Sequence, residues 1–326
     1  MPVLELDQLR VSISRPDGTE VLPVREVSLS LDAGQTLALV GESGCGKSMT
    51  CLAVAGLLPR RARISAGALK LDGTDMASLP AAAAFQLRRR TVASVFQDAT
   101  GSLNPVRSIG WQIAEAVRLR RGTTQAEAWT EAVRLLGRVG IPRPEDRARD
   151  YPHRFSGGMN QRAMIALAIA GGPRLLIADE ATTALDVTIQ AQILDLIADL
   201  QAEMGMAVLL VTHDLGVVAR AAGHVAVMYA GRVVERAPVR RLFADPRHPY
   251  SQGLLGARPR IDRDVAELVT IDGTVPPLDA MPPGCAFAPR CAWADIGCDR
   301  QEPPAAREGA GRFVACHRPG MARVAA

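Results

Sequence analysis

The chain has 326 residues, 48% of them hydrophobic and 22% charged, with a net charge of +4 at pH 7. This is an ordinary globular composition with room for a sizeable core, as one large domain or a domain plus an appendage. The charge is too small to argue by itself for a nucleic-acid partner, and the longest apolar stretches, such as "AMIALAIA" at 163–170, fall far short of the roughly 20 residues a bilayer-spanning helix needs.

In chain order, short apolar runs predict strands at 27–31 (VSLSL), 36–40 (TLALV), 69–71 (LKL), 92–96 (VASVF), 175–179 (LLIAD), 207–211 (AVLLV) and 225–229 (VAVMY). Several are apolar throughout, as a parallel sheet buried on both faces requires, whereas VSLSL alternates like a half-exposed antiparallel strand. Helical patterns follow Gly46 and cover about 84–90, 108–120, 124–139, 157–171, 187–204 and 214–222. Strands alternating with helices predict an α/β fold. The alternation is interrupted by helices alone at about 98–165, which predicts an inserted helical subdomain within a first domain at 1–240. Beyond residue 244 lie eleven of the 22 prolines and four of the six cysteines. Residues 241–326 are therefore expected to form an extension with little regular structure. The N-terminus has acids early and no long apolar stretch, so no signal peptide is expected. The cysteines are then expected in a reducing compartment, where metal binding or burial outranks disulfides.

The stretch GESGCGKS runs from Gly41 through Glu42, Ser43, Gly44, Cys45, Gly46 and Lys47 to Ser48, and Met49 follows it. Glycines let a backbone curl and aim its N–H groups inward at a phosphate tail, and the helix starting near Gly46 adds its positive dipole end. Lys47 is one of only two lysines, the other being Lys70, in a chain whose basic residues are otherwise arginines. A compact ammonium reaches the β- and γ-phosphates where a rigid guanidinium fork fits less well. The Ser48 hydroxyl is the expected Mg²⁺ ligand. The second half of this chemistry is LLIADE at 175–180. An apolar strand ending in two acids puts them at the carboxyl edge of a sheet, where α/β sites form. Asp179 is expected in the Mg²⁺ shell, and Glu180 is expected to orient or deprotonate the attacking water.

Between these halves lies FSGGMNQR at 155–162, with Ser156, Gly157 and Gly158 opening a helix. In this order and spacing it resembles the signature motif of the ATP-binding-cassette (ABC) ATPases. Gln97 in VFQD resembles that family's Q-loop glutamine, which also belongs to the Mg²⁺ site. ATTALD at 181–186 resembles the D-loop, with Asp186, and His213 in LVTHD resembles the switch histidine. The resemblance covers about residues 3–240. It implies a P-loop NTPase (RecA-like) core with an antiparallel β subdomain, and two ATPase subunits paired head to tail around two ATP molecules. Ser156–Gly158 would then serve the partner's ATP, and Glu180 and His213 would position water at this chain's own. The family usually stacks an aromatic on adenine. Here no Phe, Tyr or Trp precedes Phe85, and Ile13 falls in that slot. Ala181 stands where the family usually has proline, and Asn160 where it often has arginine, the latter expected to alter a partner contact.

FQDATGSLNP (96–105), RHPYSQGLL (247–255) and the cysteine-bearing tail resemble the oligopeptide/dipeptide importer ATPases, in the D-type rather than the F-type form. That resemblance implies a second, F-type ATPase subunit, two transmembrane permeases, an indirect link to an extracytoplasmic binding protein, and a peripheral place on the cytoplasmic face of the membrane. It implies no nucleic-acid partner. Nickel or opine carriers are related alternatives, and a soluble non-transport cassette is the rival from another class. Cys285, Cys291, Cys298 and Cys316 can complete a tetrahedral Zn²⁺ site or a [4Fe–4S] cluster. The absence of C-x-x-C counts slightly against a zinc knuckle, and the subfamily resemblance favours the cluster.

Overall fold

A computed structural model describes residues 1–181, 186–257, 270–309 and 311–321. The strands in chain order are β1 (Leu4–Ser14), β2 (Glu20–Leu31), β3 (Thr36–Val40), β4 (Ala62–Leu71), β5 (Thr74–Asp75), β6 (Val92–Val95), β7 (Leu175–Asp179), β8 (Ala207–Val211), β9 (His224–Tyr229), β10 (Arg232–Pro238), β11 (Ala306–Arg307) and β12 (Phe313–Val314). The helices are α1 (Lys47–Ala55), α2 (Ala81–Thr91), α3 (Ala99–Ser102), α4 (Ile109–Arg121), α5 (Gln125–Arg138), α6 (Pro144–Arg147), α7 (Gly157–Ile169), α8 (Val187–Met204), α9 (Leu215–Ala221), α10 (Val239–Ala244), α11 (Pro249–Gly256) and α12 (Ile296–Arg300). The chain forms two compact units, one of Met1–Glu5, Ser30–Gln35 and Lys70–Val211, the other of Leu6–Leu29, Thr36–Leu69 and Thr212–Ala326.

In the first unit β6, β7 and β8 are parallel neighbours, with Val92 opposite Leu175 and Leu175 opposite Ala207. β8 is buried along its whole length and β7 at all but its last residue, which is why neither shows an alternating pattern. Helices α3 to α7 occupy the span between β6 and β7. α5 begins with a capping box, in which Thr124 and Glu127 satisfy each other's backbone N–H, and it buries Ala128, Ala132, Leu135 and Leu136 on one stripe. α4 packs against α5 and offers Ile109, Ile113, Ala114 and Val117. Asp186 accepts the Ile189 N–H at 2.9 Å and so caps α8.

In the second unit the strand order is β3-β9-β10-β12-β11, with β3 parallel to β9 and the rest antiparallel. β1 lies between β2 and β4 in a separate sheet. The described part of the tail is mostly turns and irregular chain, carrying short elements: the end of α10, then α11, α12, β11 and β12, of which β12 pairs with the edge of β10, Val314 opposite Glu235. Pro249 takes the first turn of α11, where a missing N–H is no loss. Tyr250 and Phe287 join Val40, Val227 and Tyr229 in a single buried cluster. The rings of Tyr229, Tyr250 and Phe287 stand 4.6 to 5.5 Å apart in tilted and edge-on pairs.

Glu235 on β10 is fully buried and receives the Arg312 guanidinium at 2.8 Å, the Arg247 N–H at 3.0 Å and the His248 N–H at 2.9 Å. Removing the cation would strand a carboxylate that has no water to turn to. Arg312→Ala should therefore lower stability by about 3–5 kcal/mol in urea unfolding, whereas an exposed pair such as Arg63–Glu20 should contribute about 0–1 kcal/mol.

His248 is buried beneath the same segment, its Nδ1 accepting the Tyr250 N–H at 3.0 Å, and burial lowers its pKa to about 3. A depressed histidine pKa favours the folded state above the unfolded value near 6.5, and this contribution is lost as pH falls toward 3. Acid unfolding should thus steepen across that window and flatten in His248→Asn, which keeps an acceptor and does not titrate.

Candidate nucleotide-binding site

The phosphate loop leaves buried β3 and enters α1 within the second unit. Its curl is enforced from behind. A Cβ on Gly41, where φ is +154°, would lie 2.1 Å from the Met228 carbonyl oxygen, and one on Gly46, where φ is +102°, would lie 2.3 Å from that of Pro23. Only glycine fits either place. Lys47 is 6% exposed and folds back over the loop, its Nζ donating to the carbonyls of Gly41 at 2.8 Å and Glu42 at 3.0 Å. An arriving triphosphate would draw that ammonium from two loop carbonyls. Thr50 donates its hydroxyl to the Gly46 carbonyl at 2.9 Å and pins the first turn of α1. Ser43, Gly44 and Ser48 are exposed, and Met49 is half-buried. Cys45 is fully buried, and burial raises its thiol pKa. His213 belongs to the same unit and is exposed, just before Asp214, which caps α9 through the Gly216 N–H at 2.7 Å.

The acidic pair lies in the first unit. Asp179 ends β7 opposite Val211, and the Glu180 N–H donates to the Val211 carbonyl at 2.9 Å. Glu180 has φ of +49°, an uncommon conformation for a non-glycine residue, so the chain turns sharply where the carboxylate is presented. Gln97 follows β6, the strand beside β7, and is exposed. In the same unit Ser156 caps α7 by accepting the Met159 N–H at 3.3 Å, and both Ser156 and Gly157 are exposed. A Cβ on Gly158 would lie 3.0 Å from Ile189 Cγ2, close enough that the Ile189 side chain would have to give way slightly. Asn160 does not face a partner. It is 3% exposed and donates its side-chain amide to the Pro152 carbonyl at 3.1 Å, bracing the signature turn from within. Residues 182–185 of the ATTALD stretch lie outside the described residues, while Asp186 is the α8 cap.

The four tail cysteines line one small cavity together with His248, Phe287 and His317. Burial raises the thiol pKa of Cys285 and Cys291, and that of Cys316 to about 11. The donor chemistry fits a thiolate-ligated group, but among the described residues no group of three or more His, Cys, Asp and Glu stands arranged to hold a metal ion.

Residues 24–183 match the family described as ABC transporter, and residues 234–298 match the family described as the oligopeptide/dipeptide transporter C-terminal region. The chain is 50% identical over 94% of both lengths to a Brucella melitensis protein named for peptide import and ATP binding. It is 46% identical to the oligopeptide transport ATP-binding protein OppD of Salmonella typhimurium, over 97% of this chain and 94% of that one. Among solved structures, the ATP-binding cassette MJ0796, as a dimer in a post-hydrolysis state with ADP and phosphate, superposes with a TM-score of 0.64 at 25% identity. That match covers 73% of this chain and 99% of that one.

Gly46→Ala must displace either the loop or Pro23. It should weaken binding of a fluorescent ATP analogue by at least about tenfold, equivalent to about 1.4 kcal/mol, while Gly137→Ala on α5, where a Cβ would meet nothing closer than 3.6 Å, should leave binding unchanged.

Proposed function

The chain belongs to the ABC transporter ATPase family, and from that premise we propose that it powers uptake of di- or oligopeptides as the D-type ATPase of an importer. The observation that carries this reading is the phosphate loop, curled by Gly41 and Gly46 over a buried Lys47, in a chain whose tail matches the oligopeptide/dipeptide transporter C-terminal family. ABC ATPases of this kind work with transmembrane permeases. Among the described residues no helix is long and apolar enough to cross a membrane, in keeping with a peripheral subunit on the cytoplasmic face. The partner we propose is an F-type ATPase, with two permeases and an extracytoplasmic binding protein completing the system. The proposed domain limits are 1–240, with the helical part at about 98–165, and 241–326.

The roles proposed for the residues follow from their chemistry. The loop from Gly41 to Met49 wraps the phosphates, and Lys47 exchanges its two loop carbonyls for β- and γ-phosphate oxygens. Ser48, Asp179 and Gln97 would hold Mg²⁺, which supplies charge neutralisation on the phosphates when bound. Glu180 accepts a proton from water or holds it in line, and His213 contacts the γ-phosphate. The turn of Ser156, Gly157 and Gly158, the first two exposed, offers amides and a hydroxyl at the start of a helix to the partner's nucleotide. Asp186, besides capping α8, contributes to the D-loop contact. Cys285, Cys291, Cys298 and Cys316 would hold a [4Fe–4S] cluster, or else Zn²⁺, which would cross-link the tail when bound.

Glu180→Gln removes the base and keeps the shape. In the assembled transporter ATP turnover should fall by about 10²–10⁴-fold, while nucleotide stays bound and the ATPase pair stays closed on gel filtration. Unchanged turnover would refute the assignment of Glu180. Anaerobically purified chain should carry iron and acid-labile sulfide, lost in Cys298→Ser. Zinc in their place would select the alternative, and a metal-free chain would overturn both. Uptake of radiolabelled dipeptide by cells carrying the whole system should vanish with Lys47→Ala, and retention of uptake would sink the peptide reading.

A further inference from the structure

Glu42 is the first residue after Gly41 of the phosphate loop, and it brings a negative charge into a place meant for a polyanion. Its three polar groups are all held. The carbonyl takes the Lys47 ammonium at 3.0 Å, the N–H donates to the Tyr250 hydroxyl at 2.8 Å, and the carboxylate takes Arg290 Nη1 at 3.1 and 3.0 Å. The last two partners come from the C-terminal extension. Tyr250 is fully buried, and the Arg290 side chain is only 5% exposed.

Arg290 is itself fixed on every side. Its Nε donates to the Asp272 carbonyl at 2.8 Å, its Nη2 to the Ile271 carbonyl at 3.1 Å, and its Nη1 also reaches the Tyr229 hydroxyl at 3.4 Å. The guanidinium lies 5.8 Å from the Tyr229 ring centre. It is carried on the short turn Ala288–Arg290, immediately before Cys291 of the thiol-lined cavity. An arginine this enclosed loses little further freedom on meeting a carboxylate, and its charge acts through a poorly hydrated medium.

We propose that Arg290 is a positioning residue for nucleotide binding, which neutralises Glu42 and, together with Tyr250, sets the entry of the phosphate loop from the C-terminal extension. Without it the Glu42 carboxylate would face the triphosphate unpaired, and the loop backbone would lose its outer anchor. The inference rests on the ATPase reading of the loop. Binding of MgATP by the unaltered chain tests that reading separately.

The measurement is the Kd of the full-length chain for a fluorescent ATP analogue and for the matching ADP and AMP analogues, with melting temperature recorded for each variant. Arg290→Met should raise the Kd for the ATP analogue by about fivefold to tenfold, with a smaller rise for ADP and the least for AMP, because the repulsion scales with ligand charge. Adding Glu42→Gln should bring the ATP value back to within about twofold of the original, since the charge needing neutralisation is gone. A purely structural role would lower the melting temperature without a charge-graded change in Kd and without rescue. Arg290→Lys keeps the charge but loses the fork, and covers the case in which Met prevents folding. It should raise the Kd about twofold to threefold, again reversed by Glu42→Gln. An unchanged Kd in the folded single variants, an equal effect on all three nucleotides, or failure of Glu42→Gln to rescue would each overturn the proposal.

Discussion

The phosphate loop lies so close to the chain behind it that at two points only a hydrogen atom fits on the α-carbon. The Met228 carbonyl at the end of β9 and the Pro23 carbonyl on β2 press against Gly41 and Gly46. The backbone therefore has no room to relax, and its amides are aimed before any ligand arrives. Lys47 completes the arrangement by bonding to the loop's own carbonyls, so the ammonium is buried without being left unsatisfied. Preorganisation of this kind spares the reorganisation that a floppy glycine loop would need on binding.

The same constraint explains why the C-terminal extension packs as it does. β9 ends at Tyr229, and the rings of Tyr250 and Phe287 close over that ring to form one apolar cluster. Once these rings are seated, Tyr250 and Arg290 stand within hydrogen-bond reach of Glu42. Farther along, Glu235 fastens the segment by accepting from Arg312 and from two consecutive backbone N–H groups. The extension is thus tied to its unit by a buried ion pair, an aromatic cluster and a strand added at an edge. Its four cysteines converge on a cavity within that framework rather than supplying its only cohesion.

The acidic half of the chemistry uses a different device. β7 buries four consecutive apolar residues and then turns through a positive φ at Glu180. The energy stored in that turn is offset by the sheet, since the Glu180 N–H remains bonded to Val211. An acidic side chain at the exit of a rigid strand is held more narrowly than one on a long loop. Asn160 serves the signature turn in a similar way by tying α7 to Pro152.

Much of the fold was legible because its signals are local. Apolar runs gave β3, β6, β7, β8 and most of β9, and the helical patterns at 124–139 and 187–204 begin where Thr124 and Asp186 cap α5 and α8. The phosphate loop was legible for the same reason, since a glycine pattern between a strand and a helix fixes backbone geometry within a few residues. β1 and β10 escaped because polar and charged residues interrupt them, and the short tail elements escaped because prolines mask a pattern that only an existing sheet edge can stabilise. Residues alone also singled out a lysine, two acids and four thiols as candidates for chemistry. Only the tertiary structure decided that Arg290 meets Glu42 across 248 positions of sequence and that Asn160 points inward. Such meetings depend on how buried surfaces close on one another, and no periodicity along the chain encodes that.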